Sequence, residues 1–208
     1  IMGESGSGKT IMTTEPKFVP KEAAVIHLQE DLNLKLRLID CVGYMVKGAT
    51  GHLEENAQRM VKTPWFEEEI PFTHAAEVGT RKVIHEHATI GIVVTTDGTI
   101  GELLREDYAA AEERTVKELK TIGKPFVILL NSTRPYAKET EELAGQLSEK
   151  YKTTVIPVSC EQLRREDVAK IMEGILGEFP VERVEFYIPK PPDRLLLQLH
   201  AAHSSLVL

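Results

Sequence analysis

Apolar and polar positions change period along the chain, and the changes mark its elements. Residues 23–29 (Ala-Ala-Val-Ile-His-Leu-Gln) and 34–40 (Leu-Lys-Leu-Arg-Leu-Ile-Asp) both read as strands. In the second, Leu34, Leu36 and Leu38 alternate with Lys35, Arg37 and Ile39, the period-two pattern of a sheet with one wetter face. The link between the two runs is short enough for a hairpin, so they are predicted to be antiparallel neighbours. From Tyr44 to Phe72 no period persists, and Gly48, Gly51, Pro64 and Pro71 punctuate the run. The pattern predicts only a short helix there, near Glu54 to Val61; a long irregular segment inside a compact domain is usually functional or mobile.

Beyond it the pattern becomes regular. A helix over Thr73–His87 precedes an apolar strand over Thr89–Thr95. The next helix sets Tyr108, Ala111, Thr115, Leu119 and Ile122 on one face, the stripe of an amphipathic helix. A strand over Pro125–Asn131 comes next, then a helix over 138–150 with Leu143 and Leu147 four apart. A strand over 153–159 precedes a helix over 163–177 that bears Val168, Ile171, Met172, Ile175 and Leu176. Apolar strands alternating with amphipathic helices imply parallel strands covered on both faces. The predicted fold is an α/β three-layer sandwich, mostly parallel, with one antiparallel hairpin at its start. Residues 1–189 form one unit on this reading; Pro191-Pro192 interrupts it, and 190–208 remain an unassigned tail.

Composition narrows the function classes. Of 208 residues, 42% are apolar and 27% charged, which excludes wholesale disorder. Lys and Arg total 25 against 32 Asp and Glu, a net charge of −7. That balance argues against a chain whose main work is coating nucleic acid or an anionic membrane surface. Cys41 and Cys160 are too few for a disulfide scaffold and suggest a reducing compartment. No run of about 18 apolar residues predicts a transmembrane segment, and no signal-peptide pattern opens the chain. A cytoplasmic location is expected. Ile1-Met2 leads straight into a loop-like string, as in an internal fragment.

Four places carry candidate chemistry. Gly3-Glu4-Ser5-Gly6-Ser7-Gly8-Lys9-Thr10 matches the phosphate-loop pattern G-x-x-x-x-G-K-[ST], making Gly3, Gly8, Lys9 and Thr10 candidate phosphate contacts. Such a loop needs a strand before it and a helix N-terminus after it, so that backbone N–H groups face the phosphates. Here only Ile1-Met2 precede it, and Pro16 and Pro20 punctuate the segment after it, a poor helix. The other reading makes the string part of a switch-region loop, and the context favours that one. Asp40-Cys41-Val42-Gly43 is a D-x-x-G at a strand end. In P-loop hydrolases that Asp holds the Mg²⁺ shell, usually through water, and the Gly N–H senses the terminal phosphate; the plainer reading is a strand-end turn.

Asn131-Ser132-Thr133-Arg134 closes a strand where guanine-specific relatives carry Asn-Lys-x-Asp. Arg134 stands in place of the acceptor Asp and can only donate, which favours ATP over GTP; an ordinary strand-to-helix turn is the alternative. Val158-Ser159-Cys160 ends the next strand, compatible with a backbone contact to the base. Asp97-Gly98 reads as a turn, His85 and His87 as helix C-terminal residues rather than metal ligands, and Trp65 as a packing anchor.

Taken with the strings from Lys9 to Pro20, Asp40 to Tyr44, Thr63 to Trp65, Gly79 to Ile84, Thr95 to Ile100 and Asn131-Ser132, the chain resembles the stage IV sporulation protein A family. These are the spore-coat morphogenetic ATPases of endospore-forming Firmicutes. The resemblance runs from about Gly8 to about Pro189. It implies a derived translation-factor-related P-loop domain that has turned to ATP, with Mg²⁺ as its metal. It also implies that the family's true phosphate loop lies upstream, so that the first strand, phosphate loop and first helix are missing here. Thr13 and Thr14 match the family's sensor threonines, which help place Mg²⁺ or the attacking water, and Asp40 and Gly43 match its D-x-x-G. Its partners, on the same basis, are its own copies in a polymer, other coat proteins and a small membrane-bound amphipathic peptide, in the mother cell at the outer forespore membrane. The alternatives left by the residues are an Era-like switch GTPase and a scaffold that binds nucleotide weakly and assembles without turnover.

Overall fold

The computed structural model describes residues 18–179, apart from 30–31, 42, 50–52 and 55–56. The predicted hairpin is present: β1 (Phe18–Gln29) pairs antiparallel with β2 (Leu32–Ile39). β1 starts earlier than its apolar pattern suggests, and the register shifts between Val19 and Ala24. Pro20 lies inside that irregularity, and a proline cannot donate to the ladder. Ile26, Leu34 and Leu36 are the hairpin residues turned toward the core, whereas Leu38 is exposed.

The segment predicted to hold a short helix near 54–61 contains none among its described residues. It carries two small antiparallel pairs, β3 (Leu53–Glu54) with β4 (Ala57–Gln58), and β5 (Met60–Val61) with β6 (Ile70–Pro71). A short helix is marginal without packing, and here the backbone of Met60 and Val61 finds a partner strand instead. α1 (Phe72–Lys82) continues as a π-helical turn over Val83–His87, and Ala75, Ala76 and Thr80 form its buried face.

The rest is a regular α/β run. β7 (Gly91–Thr96), β8 (Phe126–Asn131) and β9 (Val155–Val158) form a parallel sheet in that order. α2 (Arg105–Thr121), α3 (Lys138–Tyr151) and α4 (Arg165–Gly177) connect or follow these strands. α2 and α4 start at the same local device. Asp107 accepts the Leu104 N–H at 3.1 Å and Asp167 the Arg164 N–H at 3.0 Å, which satisfies one orphan donor at each helix start.

β8 explains why the sheet has three layers. Phe126 to Leu130 are all buried, with Phe126, Ile128 and Leu130 in the core under α2 and α3 and Val127 and Leu129 in the core under α4. Each such side chain contributes roughly 1.5–3 kcal/mol of apolar burial. The predicted stripe on α2 is buried at Tyr108, Ala111, Thr115 and Leu119, and that on α4 at Ile171, Met172 and Ile175. The hairpin packs against the α4 side of the core but belongs to a separate sheet: among the described residues β2 and β7 are not paired.

Candidate functional site

Because β7, β8 and β9 are parallel, their C-terminal ends open on the same edge, where α/β sheets hold ligands in the crevice outside the strands. β7 ends at Thr96-Asp97-Gly98, β8 at Asn131-Ser132 and β9 at Ser159-Cys160. The loops are stitched together. Asn131 Oδ1 accepts the Cys160 N–H at 2.9 Å, the Ser132 N–H donates to the Val158 carbonyl at 2.9 Å, and the Asp97 N–H donates to the Asn131 carbonyl at 3.3 Å. Two sequence candidates, Asn131 and Ser159, therefore sit together. Arg134 is held through its backbone, its N–H donating to Ser132 Oγ at 2.9 Å, while the residue itself is exposed. A guanidinium there presents only donors, which suits a base edge carrying acceptors.

Asp97 reads in the sequence as a plain turn residue, and the turn is there: Gly98 has φ +89°, and a Cβ on it would stand 3.0 Å from the Arg105 nitrogen. Its carboxylate also ties the loops. Asp97 Oδ1 accepts the Thr99 N–H at 3.0 Å and the Thr99 hydroxyl at 2.6 Å, and Oδ2 accepts the Thr140 hydroxyl at 3.2 Å. Thr99 Oγ1 in turn accepts the Thr133 N–H at 3.0 Å. Burial alone would raise the Asp97 pKa, but hydrogen bonds from Ser132, Thr99 and Thr140 outweigh it and hold the carboxyl below the ordinary aspartate value. Sequence spacing carries no signal for this role, because Thr140 lies 43 positions away. Burial pushes the Cys160 thiol pKa up, so this residue contributes its amide rather than a thiolate.

The D-x-x-G lies elsewhere, after β2. Asp40 is exposed and Gly43 is buried at φ +79°, in the left-handed region that favours glycine. The Gly43 N–H donates to Thr80 Oγ1 on α1 at 3.0 Å. Tyr44 is next, buried, with the Arg114 guanidinium 4.4 Å over its ring and its hydroxyl bonded to Glu118. Arg81 and His85 reach the same Glu118 carboxylate at 3.2 and 3.4 Å, and burial pushes the Glu118 pKa up. Trp65 is the packing anchor its position suggests: its ring lies against Gly79, where a Cβ would be 3.3 Å away. Gly3, Gly8, Lys9, Thr10, Thr13 and Thr14 lie outside the described residues.

Among the described residues no three His, Cys, Asp or Glu side chains gather as a metal site. His85 and His87 instead face Glu118 and Glu86. An exposed carboxylate at a strand end, as at Asp40, is the hard oxygen donor that a mostly hydrated Mg²⁺ accepts, so the residue present fits that ion. No helix among the described residues is long and apolar enough to cross a membrane.

Residues 1–180 match the family model described as the ATPase domain of stage IV sporulation protein A. The chain is 55% identical over 186 residues to stage IV sporulation protein A of Bacillus subtilis (strain 168), and equally to that of Bacillus anthracis. It is 47% identical over 187 residues to the protein of that name in Clostridioides difficile (strain 630). These alignments take in 89–90% of this chain but only 38% of each relative's length. No solved structure matches this chain.

Proposed function

The chain belongs to the stage IV sporulation protein A family, represented by its ATPase domain, and from that premise we propose that the full-length protein binds and hydrolyses ATP with Mg²⁺, residues 1–208 by themselves being inactive. The observation that carries this reading is the ATPase-domain match over residues 1–180, onto which Asp40, Gly43 and Asn131 all fall. Residues 1–189 are then part of a single nucleotide-binding unit, and 190–208 are a tail or the start of a following region, with no role assigned. The turnover commits copies of the protein to a polymer, the basement layer of the spore coat, at the outer forespore membrane. Other coat proteins and a small membrane-bound amphipathic peptide are its partners there.

The residues divide into two groups. Asp40 holds the Mg²⁺ shell, with Thr14 as a second oxygen donor, and Thr13 and Thr14 orient the attacking water. The Gly43 amide serves the terminal phosphate. Bound Mg²⁺ supplies neutralisation of the charge that develops around the β- and γ-phosphates. At the base end, Asn131 holds the Ser159-Cys160 loop in place through the Cys160 amide, and Arg134 offers donors to adenine acceptors while leaving the guanine N1–H without a partner. Gly3, Gly8, Lys9 and Thr10 act as part of the switch loop.

Competition binding of ATP and GTP to the full-length protein tests the base assignment. ATP should win, and Arg134→Asp should shift the balance toward GTP; a wild-type preference for GTP would sink the reading. Asp40→Asn should weaken Mg²⁺-dependent hydrolysis with the fold intact, since the side chain is exposed and its volume is kept.

A further inference from the structure

The amide assigned above to the terminal phosphate already has a partner. Gly43 is buried, and its N–H is taken by Thr80 Oγ1 at 3.0 Å across 37 positions of sequence. Both ends of this contact are fixed. Thr80 is 1% exposed, and the helix bearing it is pinned one residue earlier, where the Trp65 ring lies on Gly79. On the other side Tyr44 is 3% exposed and clamped to α2 through Arg114 and Glu118. Packing on either side therefore aims the Gly43 amide at α1, and the bond to Thr80 must break before that amide can turn to another acceptor.

One backbone N–H makes one strong hydrogen bond, so a phosphate oxygen and the Thr80 hydroxyl compete for it. Resting on the reading of Asp40 and Gly43 as the phosphate-side element, we propose that Thr80 is a positioning residue that sets the discrimination between triphosphate and diphosphate. A bond to a charged phosphate oxygen is about twice as strong as one to a neutral hydroxyl, so the exchange runs toward the triphosphate. A diphosphate brings no oxygen to that place, and the Gly43–Thr80 bond stays. Leaving Thr80 also releases α1 from the D-x-x-G, so this helix carries the news that a terminal phosphate is present. The contact subtracts from triphosphate affinity and leaves diphosphate affinity untouched.

The test uses the full-length protein with Thr80→Val, which keeps the shape and removes the acceptor, and Thr80→Ser, which keeps the hydroxyl. Affinities for a non-hydrolysable ATP analogue and for ADP are measured with Mg²⁺. Thr80→Val should tighten the analogue relative to ADP by about fivefold, the equivalent of one neutral hydrogen bond of about 1 kcal/mol. ADP affinity should not move, and Thr80→Ser should keep the wild-type ratio. An unchanged or lowered ratio in Thr80→Val overturns the proposal, since a hydroxyl needed in the triphosphate state would weaken the analogue when removed. If Thr80→Val does not fold, amide exchange of the wild type decides instead. The analogue, and not ADP, should speed exchange in Phe72–Lys82, and equal exchange with both ligands overturns the proposal. Asp40→Asn serves as the control for the underlying reading: if it weakens Mg²⁺-dependent binding while the Thr80 ratio stays flat, only the role of Thr80 falls. If it too has no effect, the assignment of the D-x-x-G falls with it.

Discussion

Replacing Asp97 by Ala should loosen the loops at the C-terminal edge of the sheet without unfolding the domain. Its carboxylate receives the Thr99 N–H and hydroxyl, the Thr140 hydroxyl and a bond from Ser132. Hydrogen bonds to a charged group contribute roughly 1.5–3 kcal/mol each when buried. Thr99 is exposed, so its two donors return to water at small cost; Thr140 and Ser132 are 4% and 0% exposed and cannot. They keep one another, hydroxyl to hydroxyl at 3.5 Å, which offsets part of the loss. The net cost is about 3 kcal/mol of local stability, equivalent to roughly a hundredfold faster amide exchange. Hydrogen exchange of the full-length protein should show it at 97–99 and 132–136, with β8 itself unchanged. Exchange within about threefold of wild type in those segments would refute the role of Asp97 as the tie between loops. The pH dependence supplies a second reading. A carboxyl held below its unfolded value of about 3.9 contributes stability that is full above that value and is lost as the pH falls through the folded pKa. The difference in melting temperature between wild type and Asp97→Asn should therefore be largest near neutrality and shrink in acid.

Gly98→Ala meets both a positive φ and the Arg105 backbone at 3.0 Å, and should cost about 1–3 kcal/mol, read as a lower melting temperature and faster exchange at the start of α2. Glu112 is fully buried, accepting from Arg105 at 2.8 Å and from the Tyr151 hydroxyl at 2.7 Å, while burial and the Glu112 carboxylate push the Tyr151 pKa up to about 12. Tyr151→Phe should cost about 1.5–3 kcal/mol in urea denaturation; a neutral result would mean that solvent replaces the phenol. Glu112→Gln, which leaves the Arg105 charge without its counter-ion, should cost more, about 3–5 kcal/mol.

The apolar periods in the sequence were enough to determine the alternating α/β run. A buried strand such as Phe126–Asn131 and a stripe such as Tyr108, Ala111, Thr115 and Leu119 arise from local spacing, because each element must hide its own apolar face wherever its neighbours lie. The hairpin was legible for the same reason, its partners being separated by a few residues. The D-x-x-G and the Asn131 and Ser159 loops were legible as residue types at strand ends. What only the tertiary structure decided is whom those residues touch. Met60–Val61 became a strand rather than a helix because Ile70–Pro71 came alongside to pair with it. Asp97 became a tie between loops through Ser132 and Thr140, and Gly43 became the partner of Thr80. Hydrogen-bond partners distant in sequence leave no periodic trace in it, and they are fixed only when packing brings the strand ends and α1 into contact.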